Sequence, residues 1–178
     1  MPKSDMTVRR LTPEEYKRAG ETVPHHFLQS AGWGLFKSRH GWQPLFLGLF
    51  RGRACVGLGL ALLRRLPRGY LFAYIPKGPS LVPGEKDFTQ ASGALAEAVR
   101  QAAGKKVLFV RMEPHLLRQE IPEEGLRREG WTPAPYDIQY RHTRRITLQD
   151  EESLWASFSS KQRNKIKTAE RKDGGIKR

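Results

Sequence analysis

Apolar residues fall into two patterns along this chain, and together they predict a sheet layered between helices. Thr7–Leu11 reads as a short strand, and Thr12-Pro13-Glu14-Glu15 follows with an N-cap threonine, a proline at the first helical position and a glutamate closing a capping box. A helix to about Ala19 or Gly20 follows. Phe27–Lys37 predicts a second helix that sets Trp33, Phe36 and Lys37 on neighbouring turns, with Gly32 and Gly34 serving close backbone approach; a loop is the other reading of those glycines. Pro44–Phe50 and Ala54–Leu63 are apolar runs joined by Arg51-Gly52-Arg53, a hairpin signal. Consecutive apolar positions in both imply strands covered on both faces. Tyr70–Ile75 is a third central strand, stopped by Pro76-Lys77-Gly78-Pro79. Phe88–Ala103 is an alanine-rich helix ended by Gly104, and Val107–Met112 is a strand ended by Glu113-Pro114. Pro122–Glu129 predicts a short helix capped by Gly130, and Asp137–Leu148 a polar strand. Asp150 then caps one last helix from Glu151 to about Lys172. The order gives an α/β fold, a sheet with helices on both faces.

The 178 residues suit one domain with a core that needs neither disulfide nor metal. Charge changes the picture more than length does. With 32 Lys plus Arg against 18 Asp plus Glu, the net charge is +14, which favours phosphates, nucleic acid or an anionic membrane surface as partners. The single cysteine, Cys55, excludes an internal disulfide and fits a reducing compartment. No secretory h-region follows Met1, and the most apolar stretch, Leu45–Leu63, is cut by two arginines and four glycines. The expectation is a cytoplasmic protein without stable membrane insertion, touching membranes peripherally and through charge.

Candidate chemistry is sparse. The five histidines show no ligand spacing, so no metal site is expected, and no Gly-x-Ser-x-Gly or Walker loop occurs. Gly57-Leu58-Gly59 lies within a strand and reads as structural. Three segments stand out. Gln29–Lys37 with Gly41-Trp42 crowds aromatics around one lysine, although a core-facing helix with an ordinary surface lysine explains the same residues. Tyr74-Ile75-Pro76-Lys77-Gly78-Pro79 ends a strand in a rigid turn whose amides and lysine suit an anion, or is simply a tight turn. In the last helix Trp155, Phe158, Gln162, Ile166 and Ala169 form a stripe at about 100° per residue, flanked by Lys161 and Lys165 on one side and by Arg163 and Lys167 on the other. A solvated basic face is the plainer reading of that stretch. Glu113 is the best single acid, at the carboxyl end of a strand where it could take or orient a proton of an attacking amine, or be an ordinary loop acid.

Taken in order, Leu28-Gln29-Ser30, Trp33-Gly34-x-x-Lys37, Gly41-Trp42, Tyr74–Pro79, Arg111-Met112-Glu113-Pro114, Gly130-Trp131 and Lys161-x-Arg163-Asn164-x-Ile166-Lys167 resemble the Fem (FemABX) family of peptidoglycan aminoacyltransferases, the methicillin-resistance-type peptidyltransferases. The resemblance implies a GNAT-like mixed sheet and covers only the amino-terminal of the family's two modules. It places a precursor-binding module at 1–150 and a basic linking helix at 151–178, where the second module would begin. It implies transfer of an amino acid from aminoacyl-tRNA to a stem-peptide amine in interpeptide-bridge synthesis, without metal or cofactor. The implied partners are a UDP-linked muropeptide, or its lipid-linked form, and aminoacyl-tRNA. Lys37 matches a lysine that meets the precursor diphosphate, with Trp33, Tyr74, Lys77, Gly78 and Arg111 as further precursor contacts. Glu113 matches an acid near the acceptor amine, while Leu108 stands where some relatives carry an aromatic. Lys161, Arg163, Lys165 and Lys167 would face tRNA phosphates or the second module. On this reading Lys37 and the 76–79 turn line one pocket, and the chain alone transfers nothing. Two other classes stay open: an acyl-CoA-dependent N-acetyltransferase, which needs a glycine-rich pyrophosphate turn at a helix N-terminus, and a basic RNA-binding module without catalysis.

Overall fold

The computed structural model describes residues 6–85, 87–140, 142 and 146–172. They form strands β1 (Met6–Arg10), β2 (Gln43–Arg51), β3 (Ala54–Arg65), β4 (Leu71–Pro76), β5 (Ser80–Leu81) and β6 (Val107–Glu113). The helices are α1 (Pro13–Ala19), α2 (Ala31–Ser38), α3 (Phe88–Ala103), α4 (Glu123–Arg128), α5 (Glu151–Ser157) and α6 (Ser160–Arg171). The chain divides into two compact units, Met1–Gln139 and Tyr140–Arg178.

The first unit holds one mixed sheet in the order β1-β2-β3-β4-β6, with β5 paired to β3. All pairs are antiparallel except β4 and β6, which run parallel through the α3 crossover. The consecutive apolar positions do serve two faces. Leu45, Leu47, Leu49, Ala61, Leu63, Ala73 and Ile75 pack under the α3 residues Ala91, Leu95 and Val99. Phe46, Leu58, Leu60 and Leu62 point the other way, toward Tyr16 of α1, Val23 and Ala31 of α2. Fully burying a large aliphatic side chain stabilises by about 1.5–3 kcal/mol, so each face contributes several such terms.

Local signals set the elements. Thr12 and Glu15 form the capping box of α1 reciprocally, at 3.1 and 2.8 Å. Between α1 and α2, Phe27–Gln29 is a 3-10 turn rather than the start of the second helix, because Ser30 takes an extended backbone and caps α2 through the Trp33 amide. Gly34 is a close-approach glycine, since a Cβ there would stand 2.6 Å from the Phe46 ring; Gly32 is exposed and meets nothing nearer than 3.9 Å.

Two expectations need correction. The predicted polar strand Asp137–Leu148 is irregular wherever it is described, with residues 141 and 143–145 outside the described residues. Its first amides, at Ile138 and Gln139, are spent on a carboxylate rather than on a neighbouring strand. In the second unit, the single helix from Glu151 to about Lys172 is two helices. Phe158 and Ser159 take extended backbones, and Ser159 starts α6 with its own capping box to Gln162. The predicted stripe from Trp155 to Ala169 therefore does not lie along one helix.

Candidate functional site

The turn after β4 is fastened by one amide side chain. Gln29 is completely buried; its Oε1 accepts from the Leu60 amide at 2.7 Å, and its Nε2 donates to the carbonyls of Leu60 at 3.2 Å and Pro76 at 2.5 Å. A Cβ at Gly78 would stand 2.7 Å from this amide, so the glycine lets the turn close onto Gln29. Lys77, half-buried, holds φ at +51°. It raises the positive potential at His26, whose pKa is lowered by burial first, then by His115 and Lys77. The neutral His26 ring accepts from the Leu28 amide at 3.1 Å and so caps the turn that carries Gln29.

A second knot closes the carboxyl end of the parallel pair. Register sets Tyr74 beside Arg111 and Pro76 beside Glu113. Glu113 Oε2 accepts from the Tyr74 hydroxyl at 2.7 Å and the Gln139 amide at 3.0 Å, while Oε1 accepts from Arg111 at 3.1 Å and the Ile138 amide at 2.6 Å. Arg111 also donates to the Tyr136 carbonyl and lies 4.8 Å from the Tyr136 ring centroid. Burial pushes the Glu113 carboxyl up, but the Tyr74 hydroxyl, the two amides and the guanidinium outweigh it and hold its pKa below the usual range. Burial, then the bond to Glu113, raise the Tyr74 phenol. A carboxylate filled by four donors is a fixed anion and a poor proton acceptor at neutral pH, where a general base works best with a pKa near the operating pH. Glu113 can orient a cationic amine if residues 138–139 give way.

The third cluster surrounds Lys37. Its ammonium sits 5.6 Å from the Trp33 ring centroid and 5.0 Å from that of Trp42, with the Arg64 guanidinium 5.2 Å from Trp42 as well. Among the described residues no carboxylate pairs with Lys37. Trp42 continues edge-on to Phe72, which stacks on Phe109. Lys37 and Lys77 thus have separate neighbours, at the two ends of one row of rings: His26 against Phe27 at 4.7 Å, then Phe27 edge-on to Trp33 at 5.8 Å. Arg64 and Tyr136 escaped sequence reasoning because each sits outside the quoted motifs. The arginine pair Arg64-Arg65 at the end of an apolar run was the available signal.

In the second unit, Lys161 and Lys165 line an open concavity of about 500 Å³ with Ser160, Asn164 and Thr168. Arg163 turns instead to the end of α5, donating to the carbonyls of Phe158 at 2.7 Å and Ala156 at 3.2 Å. Lys167 lies 6.0 Å from the Trp155 ring centroid. Among the described residues, only Lys161 and Lys165 of the four basic residues therefore stand free of such contacts.

Against known proteins, the FemAB family model matches residues 11–130. No curated protein matches at a significant level. Among solved structures the chain is similar to FemX, at 18% identity and a TM-score of 0.62, over 91% of this chain and 43% of that one. It also resembles a transcriptional regulator from Bacillus halodurans C-125, at 12% identity and a TM-score of 0.54, over 78% of this chain and 99% of that one. An aminoglycoside acetyltransferase from an uncultured soil metagenomic sample gives 11% identity and a TM-score of 0.50, over 82% of this chain and all of its own. These likenesses establish a GNAT-like mixed α/β fold, and the chain spans less than half the length of the FemX chain.

Proposed function

Because the chain belongs to the FemAB family, we propose that it is the precursor-binding module of an aminoacyltransferase that builds peptidoglycan interpeptide bridges in the cytoplasm. In this reading a UDP-linked or lipid-linked muropeptide presents a stem-peptide amine, and the amine attacks the carbonyl of an aminoacyl-tRNA ester. The C–N bond forms and the ester C–O bond breaks; the ribose oxygen leaves with the electron pair and takes up the proton that the amine loses, regenerating the tRNA hydroxyl. Residues 1–150 hold the precursor, and 151–178 begin the link to a second module. Lys161 and Lys165 are the cations best placed to meet tRNA phosphates.

The observation that carries this reading is the Lys37 ammonium, seated over Trp33 and Trp42 with no carboxylate partner among the described residues. A point charge on an aromatic floor suits a diphosphate, because the indole faces shield it without neutralising it. Glu113 then orients the acceptor as a fixed anion, with Tyr74 and Arg111 setting its direction. The acetyl-CoA alternative finds less support. The N-terminus of α3 is taken by the chain's own Asp87, which accepts from the Gln90 amide at 2.8 Å, so a pyrophosphate would meet an acid there.

Titration calorimetry with a UDP-linked muropeptide tests the reading. Binding is expected, weakened about tenfold or more by Lys37→Ala, a loss of roughly 1.4 kcal/mol. Absence of precursor binding by the wild-type chain, or indifference to Lys37→Ala, would reject it.

A further inference from the structure

Helix α2 is built inside out. Its small residues Ala31 and Gly34 are buried against Phe46 and Leu60 of the sheet, while two of its three large ones, Leu35 and Phe36, are 44% and 49% exposed and the third, Trp33, is half-buried. An ordinary surface helix does the reverse, turning its large apolar residues to the core. Phe27, just upstream, is 63% exposed. The rings form one patch, since Phe27 meets Trp33 edge-on at 5.8 Å and Trp33 stacks on Phe36 at 5.3 Å; Leu35 is the next exposed apolar position on the same short helix. Phe36 in turn touches His40 at 4.4 Å.

The segment that carries the patch has charge of a single sign. From Thr22 to Gly84 the sequence holds eight Lys or Arg and not one Asp or Glu. Lys37 and Arg39 stand on α2 itself, the former over Trp33. Exposed Phe and Leu with a half-buried Trp beside Lys and Arg, on a short helix lying along the surface, are what a lipid headgroup region accommodates: rings and aliphatic chains enter the acyl boundary while cations stay with the phosphates. A stacking platform for RNA would need its ring faces open, whereas the Trp33 and Phe36 faces are used on each other and the outermost positions include an aliphatic leucine.

We infer that α2 with Phe27 is a docking face for an anionic bilayer. It seats Phe27, Leu35 and Phe36 at headgroup depth and sets Arg39 against lipid phosphates. An element of eight residues gives reversible attachment, and among the described residues no helix is long and apolar enough to cross a membrane. If the proposed function holds too (this clause rests on it), docking brings Lys37 to the level of a lipid-linked diphosphate.

The test is sedimentation of the full chain with vesicles of phosphatidylcholine containing about a third phosphatidylglycerol, together with tryptophan fluorescence. Binding with a blue shift is expected, far weaker on pure phosphatidylcholine. The double variant Leu35→Ser with Phe36→Ser is expected to lose about tenfold or more in affinity while circular dichroism and Tm stay as in wild type. Phe27→Ser, tested separately because it lies outside α2, is expected to lose several-fold. The inference is overturned by a wild-type chain that leaves these vesicles unbound, by serine variants that bind as well as wild type, or by binding to single-stranded RNA with no binding to vesicles. Muropeptide calorimetry reads the proposed function independently of every one of these outcomes.

Discussion

Two polar knots flank Pro76, and they are made of different stuff. Gln29 is neutral, fully buried and satisfied entirely by backbone groups of β3 and β4. Glu113 is an anion at the end of the edge strand β6, satisfied by a phenol, a guanidinium and two loop amides. The neutral knot has nothing to titrate and no solvent to exchange with. The charged knot can lose its partners one at a time, and water or a ligand cation can replace them. The first fixes the turn that carries Lys77 and Gly78; the second holds a strand-end carboxylate in a form that a substrate amine could claim. The neutral and the charged knot are thus separated by a few residues of one strand.

The largest blow to the neutral knot is Gln29→Ala. It strands the Leu60 amide and the Pro76 carbonyl and leaves a cavity, so urea unfolding is expected to show a loss of about 3–4 kcal/mol at every pH tested. A loss below about 1 kcal/mol would mean that the knot is dispensable. On the charged side, Tyr74→Phe removes one hydrogen bond to a carboxylate and is expected to cost about 1–2 kcal/mol. NMR titration of that variant should find the Glu113 pKa risen toward the ordinary value, since the donor that lowers it most is gone. The same group gives wild-type stability an acid edge. A depressed carboxyl pKa contributes fully above its unfolded value near 4.5 and is lost as pH falls through the folded value, and Glu113→Gln should flatten that edge.

The smallest effect concerns His26, the cap beneath the neutral knot. Its folded pKa is lowered from 6.5, so the unfolded chain binds more protons there and stability should rise with pH through the window just below 6.5. His26→Asn, which keeps an acceptor able to cap the 3-10 turn, is expected to remove this rise, and an unchanged pH profile would place its source elsewhere.

Elements whose signals are local were legible in the sequence. The capping box of α1, the hairpin turn between β2 and β3, and α3 from Phe88 to Ala103 all follow from neighbours a few residues apart. The two-faced burial of β2 and β3 was legible too, because it shows in composition at consecutive positions. The break between α5 and α6 was written in Ser159-x-x-Gln162, but helical periodicity on both sides masked it. Asp137–Leu148 reads as a polar strand in the sequence, and no local rule says that a carboxylate 25 residues upstream takes the Ile138 amide. For the same reason the sequence offers Glu113 as an acid that takes or orients a proton, or as a loop acid, without its partners. Its four donors come from β4, from β6 and from the loop at 138–139; the sheet register brings Tyr74 alongside, and the chain returning after α4 brings the two amides.

That register has a temporal side as well. β2, β3 and β4 follow one another as a meander, so their ladders close over short loops. β1 must reach across α1 and α2 to find β2, and β6 must return across α3 to find β4. Closing a longer loop costs more entropy before any contact repays it, so the meander is the natural nucleus and the two flanks zip on afterwards. Leu60 and Pro76, which grip Gln29, are laid down with the nucleus. Glu113 and its donors are completed among the last contacts to form, and a region assembled late is also the first to breathe.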